Sequence, residues 1–230
     1  YLIRLVVTEG PGDARRAAAE QGADFDLVVC AGGDGTLHET LCGLMTLPQR
    51  PPVGYIPHGS TNDFAASLHI PAQPMAAANA SAACSQPRKL DLGQHNGRYF
   101  AYVASFGAFT RASYSATQAA KNALGHLAYI FEGLGDLDSL RPYCCRIEAD
   151  GKVFEGEYIF GAVCNSTSLG GLMKLDPTHV QMDDGKFELL LLRMPKTALE
   201  LSALITSLTR MEYNAPGIIF RHVEHVTLTT

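Results

Sequence analysis

The stretch Leu27 to His38, LVVCAGGDGTLH, decides the fold of the first third of the chain. Its apolar start predicts a buried strand over Leu27 to Ala31, and leucines at helical spacing predict a helix over Leu37 to Met45. A glycine-rich turn between a strand and a helix places free backbone amides where an α/β sheet binds phosphate. The alternative is a turn without a ligand, in which Asp34 only caps backbone amides.

A second loop of the same design follows at Val53 to Asp63, VGYIPHGSTND. The pattern predicts a strand over Val53 to Ile56 and a short helix over Asn62 to Leu68. Loops at the carboxyl ends of neighbouring parallel strands share one crevice. Asp34 and Asp63 are therefore expected near one bound polyphosphate, with Mg²⁺ between the carboxylates and the phosphates.

Both helix starts also show the spacing of a capping box, in which two side chains satisfy each other's free backbone amides. The pairs are Thr36 with Glu39 and Ser60 with Asp63. Neither loop contains GxxxxGK[ST] or GxGxxG, so the two common nucleotide-binding fingerprints are absent.

The rest of the chain changes from α/β to antiparallel β signals near Arg88. Before this point, a strand is predicted over Tyr1 to Val7 and a helix over Gly12 to Gln21. The expected domain boundary near Arg88 comes after the alanine-rich and polar stretch Ala72 to Gln86. Beyond this boundary we predict short strands and two helical insertions, at Asn122 to Leu137 and Ala198 to Met211. The predicted strands are Asp91 to Gly93, Tyr99 to Ser105, Cys144 to Ala149, Val153 to Cys164, Lys186 to Arg193 and Val226 to Thr230. Asn-Gly at 96–97 and Asp-Gly at 150–151 predict hairpin turns, and Asp-Gly at 184–185 is a third candidate.

Composition excludes several classes of protein. The 230 residues are 47% hydrophobic and 18% charged, which is ordinary globular usage. The formal charge of -5 argues against nucleic acid as a partner. The longest aliphatic run, Leu189 to Leu192, is too short to span a membrane. Six cysteines without CxxC spacing indicate reduced thiols and a cytoplasmic location. Both ends, at Tyr1 and Thr230, lie within apolar runs, so we expect a fragment of a longer protein.

The sequence GGDGT at Gly32 to Thr36, followed by GSTNDFA at Gly59 to Ala65, resembles the diacylglycerol kinase catalytic family, in particular its soluble bacterial lipid kinases. GGDGT is shared with NAD kinases and 6-phosphofructokinases, whereas the NDFA segment is typical of the lipid kinases. The resemblance continues through Lys89 to Asp91 and Cys164 to Gly185. It implies an α/β plus β fold: a parallel α/β nucleotide-binding domain like that of NAD kinase and 6-phosphofructokinase, followed by an antiparallel β-sandwich.

The resemblance also implies a function for each domain. Residues 1–88 would bind ATP, and residues 89–230 would bind a lipid. The expected reaction is ATP- and Mg²⁺-dependent phosphorylation of the hydroxyl of diacylglycerol or a related lipid, giving a phosphatidic-acid-type product. The lipid substrate would be met by reversible, peripheral contact with a membrane surface, and a homodimer is left open. The alternatives are a nucleotide-binding protein without catalysis and a kinase of a soluble substrate, as in the NAD kinase relatives.

Individual site residues carry over from the family by position. Asp34, Asp63 and Asp91 would form the catalytic network of aspartates, water and Mg²⁺, while the general base, a glutamate in a DGE motif, would lie beyond Thr230. Contacts to ATP are implied for Thr8, Gly32, Gly33, Asp34, Gly35, Thr36, Leu37, His38 and Ser60. This chain departs from the family in having Ala31 for glycine, His38 for asparagine and Ser60 for threonine.

Two further sites are implied in the second domain. A structural Mg²⁺ would be bound by the Asp184 carboxylate and by the backbone carbonyls of Gln181 and Lys186; the alternative for Asp184 is an ordinary turn aspartate. Lys174 would meet a lipid phosphate or headgroup, alone or in a basic patch with Arg111 and Lys121. As a single exposed lysine it could equally be solvated.

Overall fold

The computed structural model describes residues 1–107, 140–170 and 173–230, which form two compact units, Tyr1–Tyr102 and Val103–Thr230. This division lies further along the chain than the expected boundary near Arg88, because the hairpin at 93–100 stays with the first unit. The Cys42 thiol donates a hydrogen bond to the Tyr99 carbonyl oxygen at 3.4 Å. The predicted helix over 122–137, Arg111 and Lys121 lie outside the described residues.

The first unit contains the predicted parallel α/β arrangement. Strands β1 (Val28–Gly32) and β2 (Val53–Pro57) pair in parallel, from Val28 opposite Val53 to Gly32 opposite Pro57. Helices α1 and α2 pack against each other, and α4 packs against β2. The four helices of this unit are α1 (Asp13–Gln21), α2 (Asp34–Leu44), α3 (Asp63–Ser67) and α4 (Pro74–Ala83).

One predicted strand of this unit is wrong. Tyr1–Val7 is not a strand: all seven residues are exposed and outside regular structure, although the Tyr1 hydroxyl donates to the Ala82 carbonyl at 2.5 Å. Apolar residues alone do not make a strand, which needs a backbone to pair with. The alanine-rich stretch before the expected boundary contains α4, because Pro74 stands in the first turn, where proline fits a helix, and an alanine-rich run follows.

Short antiparallel strands begin near the end of the first unit. The stretch that the sequence indicated as one strand over Tyr99 to Ser105 is divided into two, because residues 101–102 interrupt it. The strands are β3 (Gly93–His95), β4 (Arg98–Phe100) and β5 (Val103–Gly107), of which β3 and β4 form a hairpin.

A six-stranded antiparallel sheet forms the second unit, with the order β11–β10–β7–β6–β12 and with β5 paired to β7. The first half of β7 is mostly exposed and pairs with β6, whereas its second half is buried and pairs with β5 and β10. A small hairpin of β8 and β9 lies apart from this sheet. The strand bounds are β6 (Tyr143–Ala149), β7 (Lys152–Cys164), β8 (Ser168–Leu169), β9 (Met173–Lys174), β10 (Phe187–Arg193), β11 (Ile218–Val223) and β12 (Val226–Thr229).

Two of the three candidate hairpin turns are confirmed. Asn96 and Gly97 have φ of 48° and 79°, and Asp150 and Gly151 have φ of 46° and 78°, as a type I′ turn requires. The turn at 184–185 does not join two paired strands. It follows a loop and leads directly into β10.

The core of the second unit lies between the sheet and α5 (Ala198–Thr209). Every residue from Leu189 to Leu192 is at most 2% exposed, as expected for a central strand covered on both faces, and Leu204 and Leu208 of α5 pack in the same cluster. A variant of the capping box starts α5: the Thr197 hydroxyl accepts from the Glu200 amide at 3.2 Å, and the Glu200 carboxylate accepts at 2.7 Å from the amide of Lys196, one residue before the cap. Sequence reasoning missed this pair.

Candidate functional site

The two glycine-rich loops meet at one edge of the parallel sheet. The register of β1 and β2 brings both loops to that edge, and the His58 amide donates to the Gly32 carbonyl at 2.8 Å. A Cβ atom added to Gly59 would lie 2.5 Å from the Cα of Gly33, and one added to Gly33 would lie 3.0 Å from the Cα of Gly59. The close approach of the two backbones therefore requires glycine on both sides.

Asp34, the first residue of α2, links the two loops through its side chain. One carboxylate oxygen accepts from the Asp63 amide at 3.2 Å and from the Thr61 hydroxyl at 3.4 Å, and the other accepts from the Phe64 amide at 3.3 Å. These amides belong to the first turn of α3, so Asp34 caps that helix from across the loop crossing. Asp34 therefore caps backbone amides, as the alternative without a ligand expected, but they are those of α3.

The environment of Asp34 raises the pKa of its carboxyl group above the usual range. Burial is the main cause, and the negative charge of Asp63 raises the pKa further, while the hydrogen bonds from Phe64, Asp63 and Thr61 lower it. The two carboxylates therefore interact, as the sequence predicted, and a cation nearby would favour the charged form of Asp34.

Asp63 is more deeply buried than Asp34 and is only 4% exposed. Its carboxylate accepts a hydrogen bond from the Tyr102 hydroxyl at 2.7 Å. Sequence reasoning missed Tyr102, and no local pattern could have found it, because it is 39 residues away along the chain. Asp91 is partly buried in the segment before β3, and its place in the aspartate network stays a prediction.

Neither predicted capping box forms in the structure. Helix α2 begins at Asp34, two residues before Thr36, and the Glu39 carboxylate accepts from the Gly12 amide at 2.9 Å instead of reaching back to its own helix start. At the second loop, the Asn62 side chain accepts from the Gly59 amide at 2.7 Å and donates to the Gly59 carbonyl at 3.0 Å. The capping spacing predicted that helices begin near these residues but gave the wrong partners.

The other residues predicted to contact ATP differ in what they offer a ligand. Gly35 lies in the first turn of α2, is exposed, and has no other group within 4 Å of where a Cβ would stand, so the fold itself does not require glycine there. Leu37 is 4% exposed, and its backbone amide donates to the Gly33 carbonyl at 3.1 Å. Of the rest, Thr36 is partly buried, and His38, Ser60 and Thr8 are exposed, Thr8 in the irregular segment before α1.

An acidic turn precedes β10 in the second unit. Asp184 is exposed, and its carboxylate accepts from the Lys186 amide at 2.9 Å. Glu188, two residues further, is 1% exposed, and its Oε2 has no hydrogen-bond partner. Burial raises the pKa of Glu188 to about 8, and the charge of Asp184 raises it too, while the backbone amides of Glu188 and Gln181 lower it. The sequence signal for Glu188, which we overlooked, is one acid in the apolar run FELLLL.

Asn165, which directly follows β7, holds the acidic turn through Met182, a residue of the turn. The Asn165 side-chain amide donates to the Met182 carbonyl at 3.1 Å, and both residues are buried. Nowhere in the described parts of the chain do three or more His, Cys, Asp or Glu side chains come together as a metal site. The cation site implied for the turn has one carboxylate and two backbone carbonyls, and the orphaned Oε2 of Glu188 fits a cation near it.

Lys174, the residue implied to meet a lipid phosphate or headgroup, is exposed on β9.

Comparison with known proteins tests the resemblance directly. Residues 1–95 match the diacylglycerol kinase catalytic domain, and residues 103–228 match the YegS C-terminal NAD kinase beta sandwich-like domain. A diacylglycerol kinase from Bacillus subtilis (strain 168) is 39% identical over 98% of this chain and 75% of its own length. The chain belongs to the diacylglycerol kinase family. It is thereby a member of a family of lipid kinases, and both the predicted family and the predicted fold class are confirmed.

Further relatives agree with this family assignment. A diacylglycerol kinase from Staphylococcus haemolyticus is 34% identical over the whole of this chain and 69% of its own length. The crystal structure of a protein from Bacillus anthracis, proposed to be a diacylglycerol kinase, superposes with a TM-score of 0.76 at 26% identity, covering 96% of this chain and 72% of that one. Within the described residues of this family member, no helix is both long enough and apolar enough to cross a bilayer.

Proposed function

We propose that this protein transfers the γ-phosphoryl group of ATP to the hydroxyl of diacylglycerol or a closely related lipid, in a Mg²⁺-dependent reaction that yields a phosphatidic-acid-type product. The observation that carries the proposal is the crossing of Gly33 and Gly59, which joins two glycine-rich loops and the carboxylate of Asp34 at one sheet edge. The substrate class rests on the names of the relatives, at 34% and 39% identity.

The chain's own residues would act mainly by positioning the nucleotide. Gly35 leaves space for a phosphate oxygen to approach the start of α2, whose free amides and dipole favour negative charge. Asp34 would hold the two loops in one geometry, because it is bonded to both. Phosphoryl transfer depends largely on such positioning and on neutralising charge, so small displacements of these loops would be costly.

Mg²⁺ fits the Asp34 side of this site better than the Asp63 side. Asp34 is half-buried at the loop crossing, whereas Asp63 is almost fully buried and already accepts from Tyr102. Asp34 would therefore hold the cation, directly or through water, and Asp63 would support it from behind. When bound there, Mg²⁺ would neutralise the negative charge that develops in transfer.

The lipid substrate requires contact with a membrane surface. We propose that a cytoplasmic protein makes this contact peripherally and reversibly, as a net charge of -5 opposes broad attraction to anionic lipids. Lys174, exposed on β9, is the described cation proposed to meet a lipid phosphate or headgroup.

The proposal is tested by a phosphorylation assay with radiolabelled ATP on mixed micelles of diacylglycerol, and on NAD without lipid. Two chains are compared: residues 1–230, and a version that continues beyond Thr230, where the family resemblance places the general base. We expect lipid phosphorylation by the longer chain, strictly dependent on Mg²⁺ and lowered by Lys174→Gln. Asp24→Asn, at an exposed aspartate of the first unit, serves as the matched control.

Each alternative function has its own signature in this assay. Phosphorylation of NAD without phosphorylation of lipid would assign the protein to soluble substrates. If calorimetry shows that ATP binds but neither chain transfers a phosphoryl group, the protein binds nucleotide without catalysis. Both results would contradict the proposal.

A further inference from the structure

Glu188 is a buried acid for which the described residues supply little compensation. It is 1% exposed at the start of the central strand β10, and Oε2 has no hydrogen-bond partner. Among the described residues, the ion pairs are formed by Arg16 and Arg146, and neither reaches Glu188. A buried carboxylate is ordinarily paired, bonded to several donors, or bound to a metal.

The surroundings of Glu188 are the residues of the acidic turn. The backbone amide of Gln181 donates to its carboxylate, and Asp184 acts on it as a second negative charge. Two neighbouring acids repel when both are charged. The arrangement becomes favourable when a cation lies between them.

The turn also offers oxygen ligands other than carboxylates. Residues 181–186 contribute backbone carbonyls, and the Met182 carbonyl is already fixed by Asn165. Carboxylate and carbonyl oxygens are the ligands preferred by Mg²⁺ and Ca²⁺, whereas no histidine or cysteine side chain is expected in such a set.

We propose that the Glu188 carboxylate is a further ligand, directly or through one water, of a divalent cation held by the turn at 181–186. Family resemblance supplied Asp184, Gln181 and Lys186 for this turn, and the structure adds the buried acid behind them. The role is structural: the cation joins the loop to the first residues of β10. This cation is distinct from the one proposed at Asp34, and its binding does not depend on which lipid is phosphorylated.

The test measures Mg²⁺ binding without nucleotide or lipid. Melting temperature is recorded by calorimetry as MgCl₂ is raised at constant ionic strength, for the wild type, Glu188→Gln, Asp184→Asn and the control Glu224→Gln, an exposed glutamate after β11. Isothermal titration with MgCl₂ gives the affinity directly. Lipid kinase activity is assayed separately, so failure of this inference and failure of the proposed function give different results.

We expect Mg²⁺ to stabilise the wild type and the Glu224→Gln variant equally. Both Glu188→Gln and Asp184→Asn should raise the Mg²⁺ midpoint by about tenfold or more, the loss typical for groups that support a metal site. Without Mg²⁺, Glu188→Gln should melt at or above the wild-type temperature, because glutamine never has to carry a charge at this buried position.

Three results would overturn the inference. The first is no effect of Mg²⁺ on the wild type. The second is an unchanged Mg²⁺ midpoint in Glu188→Gln. If Asp184→Asn weakens Mg²⁺ binding at the same time, the turn binds a cation without Glu188. If Glu188→Gln does not fold, Glu188→Met provides the same comparison with an apolar side chain of similar volume. The third result is that neither variant folds, because Glu188 would then stabilise the metal-free protein.

Discussion

Two buried acids, Asp34 in the first unit and Glu188 in the second, show opposite ways of tolerating a carboxylate inside a protein. Asp34 accepts hydrogen bonds from Thr61 and from the amides of Asp63 and Phe64. Glu188 keeps one oxygen without a partner. Burial raises the pKa of both carboxyl groups, so burial alone does not distinguish them.

The difference lies in what each acid does for the backbone. Asp34 replaces donors lost on burial with the free amides of a helix start, and so it stabilises the loop crossing even without a ligand. Glu188 lacks such donors for Oε2, and we infer that its stabilisation depends on a cation. Substitutions that separate a satisfied acid from an unsatisfied one therefore test the comparison.

Asp34→Asn should have the largest effect. We expect phosphoryl transfer to fall by about a hundredfold or more, the usual result of removing one electrostatic group from a reaction centre. The variant should also lose about 1–2 kcal/mol of unfolding free energy, because the cap of α3 is weakened. A residue that only bound a ligand would not show this loss. Lipid kinase assays and urea unfolding measure the two effects. Turnover within about tenfold of the parent would remove Asp34 from the reaction centre.

Gly59→Ala and Gly35→Ala form a matched pair in the two loops. At Gly59, a Cβ meets the Gly33 backbone at 2.5 Å, so we expect a loss of about 1–3 kcal/mol in unfolding free energy. At Gly35 there is space, and alanine should stabilise the helix by about 0.5–1 kcal/mol while weakening ATP binding. Urea unfolding and calorimetric titration with ATP measure these effects. If Gly35→Ala binds ATP normally, the phosphate approach lies elsewhere.

Tyr102→Phe tests how the buried Asp63 is held. Removal of the hydroxyl takes away a 2.7 Å hydrogen bond and should cost about 1–3 kcal/mol, the usual penalty for a buried acceptor that loses a donor. Unfolding in urea measures the loss, and Tyr99→Phe, at a partly buried tyrosine nearby, is the control. Equal stability of the two variants would contradict the role of Tyr102.

Asp150→Asn should have the smallest effect and a distinct pH dependence. The exposed carboxylate accepts from the Glu224 and His225 amides, and these bonds lower the pKa of Asp150 below its usual range. Because the folded pKa lies below the unfolded one, the stabilisation is present above the unfolded pKa and is lost as pH falls through the folded pKa. Melting temperatures of the variant and the wild type should therefore differ slightly near neutral pH and converge in acid. A gap that persists in acid would mean that the charge is not the cause.

The sequence by itself determined those features that depend on neighbours along the chain. Periodic apolar residues located β1, α2 and β2; Asn96-Gly97 and Asp150-Gly151 specified hairpin turns; and two short motifs identified the family. These features succeed because backbone preferences and side-chain periodicity act over a few residues. Tyr1–Val7 marks the limit, since an apolar run cannot report whether another strand is present to pair with it.

Only the tertiary structure decided which distant groups meet. Asp34 bonds to amides about thirty residues away, and Tyr102 reaches Asp63 from the end of the first unit. The apolar run around Glu188 indicated a strand, but only the pairing of β10 between β7 and β11 made that strand a central one. Capping spacing likewise occurs at Thr36 and at Thr197, yet only Thr197 caps its helix with its side chain. At Thr36 the helix has already begun at Asp34 and Glu39 bonds to Gly12, so long-range packing outweighs a local preference worth about 1 kcal/mol.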